Sequence, residues 1–172
     1  MELDKGLARL NALGDAEAEG ELLKCCGSTS WARRLAARRP FGNVDELFTA
    51  AEQIWWSLGE EDWLEAFSAH PRIGGRRAER LQDAQAQAWS EHEQAGARGI
   101  DETMQDELAR ANRAYEEKFG YIFIVCATGK TAAEMLALLR ARLVNDSGSE
   151  LRRAADEQSK ITRLRLEKSL RQ

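Results

Sequence analysis

In the run Ala69-His70-Pro71-Arg72-Ile73-Gly74-Gly75, an imidazole that titrates near neutrality stands two residues from a guanidinium that does not. Pro71 lacks an N–H, and its ring pushes His70 out of the α region toward extended geometry. The helix before it must therefore stop near Ala69, and Gly74 and Gly75 permit a tight backbone path beyond. A histidine at such a break can be aimed into a cleft, where it would serve as a general acid or base. The same spacing also describes a helix-ending turn with a solvated histidine and arginine.

Two further constellations carry polar groups that can act together. In Ser90-Glu91-His92-Glu93-Gln94, Ser90 and Glu93 are three apart and share a helix face, so a hydroxyl and a carboxylate can converge on one small molecule. Ser-x-x-Glu is equally the capping box of a helix that starts there, and His92 and Glu91 fall on other faces. In the last helix, at about 100° per residue, Leu151, Ala154, Ala155, Gln158, Ile161 and Thr162 cluster on one side, with Arg165 in that sector and Arg163 nearly opposite. A guanidinium on an inward stripe must snorkel, pair with a carboxylate or receive an anionic ligand. The Gly129-Lys130-Thr131 triplet is no phosphate loop, because the glycine required five residues earlier is Ile124.

These groups need helices to position them. The pattern predicts a helical segment over residues 22–38 closed by Pro40, and a helix capped by Asn43 or Asp45 carrying Leu47, Phe48, Ala51, Ile54, Trp55 and Leu58 up to Gly59. An acidic start at Glu60-Glu61-Asp62 suits a helix bringing Trp63, Leu64 and Phe67 into the His70 break. Residues 76–88 read as a helix with a thin, alanine-rich stripe, and Gly96 and Gly99 interrupt the next stretch. Asp101 can cap a longer helix ending at Phe119-Gly120. Residues 121–125, Tyr-Ile-Phe-Ile-Val, are aromatic and β-branched and read as an extended segment or short buried strand with no evident partner strand. Its N–H and C=O groups must find partners elsewhere, and some can face a ligand. Thr131 with Glu134, and Ser147 with Glu150, have the capping-box form for the last two helices.

Composition narrows the class. A chain of 172 residues, 43% hydrophobic with five tryptophans, is most simply a single folded domain. Two prolines and abundant Ala, Leu, Glu and Arg lean toward helix. A net charge of −4 gives no general footprint for nucleic acid. Cys25, Cys26 and Cys126 do not form a disulfide framework, which fits a reducing cytoplasmic setting. No signal peptide is visible at the N-terminus, and the apolar run of residues 121–127 is too short to cross a membrane.

Taken in order, the residues resemble the cofactor-free 2-oxo-4-hydroxy-4-carboxy-5-ureidoimidazoline (OHCU) decarboxylases of urate breakdown. The resemblance runs through Cys26-Gly27-Ser28 with Trp31, Arg39-Pro40-Phe41, His70-Pro71-Arg72-Ile73-Gly74 and Ser90-x-x-Glu93-Gln94. It continues through Tyr115, Lys118-Phe119-Gly120, Phe123, Arg142-Leu143, Asn145, Glu150 and Ile161-x-x-x-Arg165-Leu166. It implies an all-α helical bundle spanning residues 1–172 as one domain, a homodimer, and no metal or organic cofactor. It implies that His70, Glu93 and Arg165 are catalytic. Pro71 and Ser90, with the backbone of Ile122, Phe123, Ile124 and Val125, would contact substrate. The implied reaction releases CO2 from OHCU to give (S)-allantoin. Arg165 suits bidentate recognition of carboxylate or ring carbonyl oxygens, Glu93 can accept from ureido or ring N–H groups, and Ser90 can add a hydrogen bond. His70, with an ordinary pKa of about 6.5, is the acid-base candidate.

Two other classes compete. A helical interaction module would use the tryptophans and the last helix, and would tolerate joint replacement of His70, Glu93 and Arg165. A DNA-binding regulator would use the basic residues between Arg152 and Arg171, yet these are spread around the helix and the chain is acidic overall.

Overall fold

The structure is a computed structural model that describes residues 1–73 and 102–172. Among the described residues all regular structure is helical, as the family resemblance implies: α1 (Glu2–Ala12), α2 (Asp15–Cys25), α3 (Thr29–Ala36), α4 (Val44–Ser57), α5 (Glu60–Ser68), α6 (Glu102–Phe119), α7 (Ala132–Arg142) and α8 (Ser147–Leu170). They form two compact units, Met1–Ala66 with Ser159–Gln172, and Phe67–Gln158. The helix expected over residues 76–88, the Gly96 and Gly99 interruptions and the Asp101 cap lie outside the described residues.

In the first unit, the segment read as one helix over residues 22–38 is two. α2 stops at Cys25, and Ser28 opens α3 by accepting the Trp31 N–H on its hydroxyl at 3.2 Å. Gly27 and a serine cap outweigh the local helical spacing. Trp31 is wholly buried and donates its indole N–H to the Ala51 carbonyl at 3.0 Å, tying α3 to α4. Arg39 donates to the carbonyls of Leu10, Leu13 and Ala36 at 2.8, 2.7 and 2.9 Å, satisfying orphan acceptors where α1 and α3 end. Of the two caps the sequence offers for α4, Asn43 takes the role, accepting the Glu46 N–H at 2.8 Å.

α1 is the element the sequence pattern leaves unread, because its buried stripe is only Gly6, Leu7 and Leu10. Gly6 has a packing reason to be glycine: a Cβ there would stand 2.0 Å from the Leu170 carbonyl oxygen at the end of α8. Beside it, Arg9 donates to the Ser169 carbonyl at 2.8 Å. Gly6→Ala is expected to push α1 off α8 and destabilise the protein by about 1–3 kcal/mol. A thermal melt within a degree of the parent's would show that the two helices do not need this approach.

In the second unit the core is Ile73, Leu108, Ala111, Tyr115, Phe123, Val125, Ala127, Ala132, Met135, Leu136 and Leu139. α6 ends at Gly120, whose φ of 83° lies in the left-handed region, with its N–H on the Glu116 carbonyl at 2.8 Å. Thr131 and Glu134 form the predicted capping box of α7: each side chain accepts the other residue's N–H, at 3.2 and 2.7 Å. The box expected at α8 is replaced. Asp146 accepts the Ser149 N–H at 2.9 Å and its hydroxyl at 2.7 Å, while Glu150 turns inward and is fully buried.

Candidate active site

The His70 break is built from both sides. α5 ends at Ser68, and the His70 N–H closes the last turn on the Phe67 carbonyl at 3.1 Å. Phe67 is wholly buried, with its ring 5.3 Å from that of Tyr121. Beyond Pro71, Arg72 grips Glu116 on α6 with Nε at 2.5 Å and Nη2 at 2.9 Å. Ile73 is buried, and Asn112 donates to its carbonyl at 3.0 Å. Arg72 thus secures the turn, and the backbone on either side of the imidazole is anchored. His70 itself is half-buried, with Nε2 at 2.5 Å from Oε1 of Gln158 on α8.

Residues 122–127 form neither helix nor strand, which leaves the extended segment, of the two readings the sequence allows, over the short buried strand. Phe123, Val125 and Ala127 alternate into the core of this unit, and Ile124 is also buried, whereas Ile122 is only partly covered. Its backbone groups find side-chain partners. The Ile124 carbonyl accepts from Arg142 at 2.5 Å, the Cys126 N–H donates to Glu157 at 2.8 Å, and the Cys126 carbonyl accepts from Lys130 at 2.8 Å.

Behind this segment lies a buried polar network. Glu150 Oε1 accepts from Arg142 Nε at 2.7 Å and from the Tyr115 hydroxyl at 2.5 Å, and Oε2 accepts from Asn145 at 2.9 Å. The Arg142 guanidinium also lies over the Phe123 ring, 4.5 Å from its centroid. Burial pushes the Tyr115 hydroxyl far above its usual pKa, and its hydrogen bond to Glu150 raises it further, so it stays a neutral donor. Lys118 donates to the Leu143 and Asn145 carbonyls at 2.5 and 2.9 Å, closing the turn after α7. The motif residues Tyr115, Lys118, Arg142, Asn145 and Glu150 therefore serve the framework of the extended segment.

Arg165 lies in the first unit and is only 5% exposed, on the inward stripe of α8 with Ile161 and Thr162, while Arg163 faces away with its guanidinium over the Phe48 ring. Its charge reaches Cys25 and Cys26, where it opposes the effect of burial. Burial still dominates and raises these thiols to about 12 and about 11, so neither is a thiolate nucleophile near neutrality. Ser90 and Glu93 lie outside the described residues. His70, Pro71 and residues 122–125 belong to the second unit. The partner of His70 was legible only as an amide on an otherwise largely apolar stripe, and Glu157, also buried, fell just beside that stripe.

The OHCU decarboxylase profile matches residues 11–167. The chain belongs to the OHCU decarboxylase family. An OHCU decarboxylase of Haloferax volcanii is 31% identical over 166 residues, covering 93% of each chain. The uric acid degradation bifunctional protein TTL of Arabidopsis thaliana is 42% identical over 152 residues, and the match spans 87% of this chain but 46% of that longer protein. A crystal structure of an OHCU decarboxylase in the presence of (S)-allantoin superposes with a TM-score of 0.73 at 39% identity, covering 86% of this chain and 95% of that one. An (S)-allantoin synthase at 19% identity, with a TM-score of 0.71, shares the fold. Among the described residues of this OHCU decarboxylase family member, no group of acidic, histidine or cysteine side chains is arranged to hold a metal, and no helix is long and apolar enough to cross a membrane.

Proposed function

We propose that the protein, acting as one domain over residues 1–172, is a carboxy-lyase that converts OHCU to (S)-allantoin with release of CO2, the last step from urate to (S)-allantoin. The observation that carries this reading is His70, held half-buried at an anchored helix end against a buried amide, in a chain of this family. Loss of CO2 leaves an electron pair on the former carboxyl-bearing carbon, which the conjugated ring of the substrate can accept without a cofactor. The protein then supplies orientation, charge and a proton. In this reading Arg165 grips carboxylate or carbonyl oxygens with its planar fork. Glu93 and Ser90 hold the ureido and ring groups, Pro71 and the backbone of residues 122–125 shape the wall, and His70 moves the proton. Delivery from one face gives a single enantiomer. The same reading takes the working protein to be a cytoplasmic homodimer that needs neither metal nor nucleic acid.

The test generates the unstable intermediate from urate in situ and follows allantoin chirality by circular dichroism, with and without the protein. Racemic product at the spontaneous rate would overturn the proposal. Arg165→Gln is expected to lower kcat/KM by about 10²-fold, consistent with losing charge-assisted hydrogen bonds of about 1.5–3 kcal/mol. Arg165→Lys should recover only part of it, because a point charge cannot form the bidentate contact. Normal kinetics in both variants would remove Arg165 from the site.

A further inference from the structure

Gln158 is completely buried on α8, and its Oε1 stands 2.5 Å from His70 Nε2. A carbonyl oxygen only accepts, so the ring nitrogen facing it carries a proton, and in the neutral ring the lone pair is then on Nδ1. We propose that Gln158 is a positioning residue for the decarboxylation: it holds His70 as the Nε2–H tautomer and fixes the ring's rotation, which makes Nδ1 the nitrogen that exchanges a proton with the substrate. The catalytic half of this inference rests on the decarboxylase reading; the tautomer is a property of the free protein.

Three features support it. Gln158 sits inside a 24-residue helix between buried Ala154, Ala155, Ile161 and Thr162, so its amide has little freedom to swing away. The chain on the other side is equally constrained, since Phe67 is buried before His70 and Asn112 and Glu116 hold residues 72–73 after it. Both ends of the contact are therefore fixed by packing rather than by the contact itself. The third feature is chemical. A carboxylate at position 158 would also orient the ring, but it would favour the imidazolium and add a negative charge against a carboxylate-bearing substrate. An amide sets orientation without charge. Whichever way the proton moves, the ring passes between an imidazolium, with both nitrogens protonated, and the neutral Nε2–H form; the proton on Nε2 stays with Gln158 throughout.

The experiment is 15N NMR of the imidazole nitrogens in the full-length, 15N-histidine-labelled protein, with His92→Gln to assign the two histidines. It is combined with kinetics on the in situ substrate. Above its titration, His70 should show a protonated Nε2 and an unprotonated Nδ1. Gln158→Met, similar in volume but without an oxygen acceptor, should give shifts averaged between the two tautomers and lower kcat by about 10²-fold with KM changed by less than about twofold. Gln158→Glu keeps an acceptor in place and should keep the Nε2–H form, which separates orientation from mere filling of space. A wild-type ring protonated on Nδ1, or a folded Gln158→Met protein with kcat within about threefold of the parent, would overturn the proposal. Wild-type protein that shows the fixed tautomer but is inactive on the substrate would overturn the decarboxylase reading and the catalytic role with it. That outcome is distinct from an active enzyme with the other tautomer.

Discussion

His70→Ala should give a folded protein that produces racemic allantoin at the spontaneous rate. The loss expected is about 10²–10⁴-fold, the usual contribution of a positioned general acid or base. The fold should survive because His70 is half-buried at a helix end, and its neighbours are held without it. Arg72 is paired with Glu116, the Ile73 carbonyl with Asn112, and Phe67 is packed on Tyr121. The structural cost includes the hydrogen bond between the imidazole and the buried Gln158 amide. A hydrogen bond lost at a buried polar group costs at most about 1–3 kcal/mol, against a typical stability of about 5–15 kcal/mol. Far-ultraviolet circular dichroism and a melt would confirm the fold, and the chirality of the product reports the chemistry. Undiminished formation of one enantiomer by the folded variant would remove His70 from the reaction.

The sequence revealed this site where a residue type forces the backbone and concealed it where only packing decides. Pro71 dictates the helix stop, Thr131 and Glu134 dictate the start of α7, and the aromatic and β-branched run dictates an extended segment; all three are present in the structure. Helical periodicity likewise puts Arg165 inward and Arg163 outward. The failures share one cause. Ser147-x-x-Glu150 satisfies a local rule, yet Asp146 takes the cap because Glu150 is needed by Arg142, a residue eight positions away that no local pattern connects to it. The break between α2 and α3 is the exception, since Ser28 caps α3 locally and that cap outweighs the apolar spacing. Gln158 was legible only as a member of the inward stripe of the last helix, since only the tertiary structure brings it to a histidine 88 positions earlier. The Ser90 and Glu93 expectation rests on same-face spacing and resemblance alone.

Arg142→Met should be the most destabilising single change in the second unit. Glu150 is fully buried and Arg142 is 6% exposed, so water screens neither charge. Removing the guanidinium leaves a buried carboxylate that, among the described residues, has only the Tyr115 hydroxyl and Asn145 amide to stabilise it. Breaking a buried ion pair from one side costs about 3–5 kcal/mol, which for a chain of this size corresponds to a melting point lower by roughly 10 °C. The double variant Arg142→Met, Glu150→Leu removes both charges and should recover much of that loss, because a well-packed apolar pair is often as stable as the ion pair it replaces. Stability and activity should then separate. Arg142 also donates to the Ile124 carbonyl at 2.5 Å, a contact that neither variant can make. If the extended segment forms part of the substrate site, the double variant should be stable again yet still impaired, with KM raised more than kcat is lowered. Full recovery of both would mean that the network serves the core alone. A single variant whose stability falls by less than about 1 kcal/mol would show that Glu150 is not held as a buried anion at all.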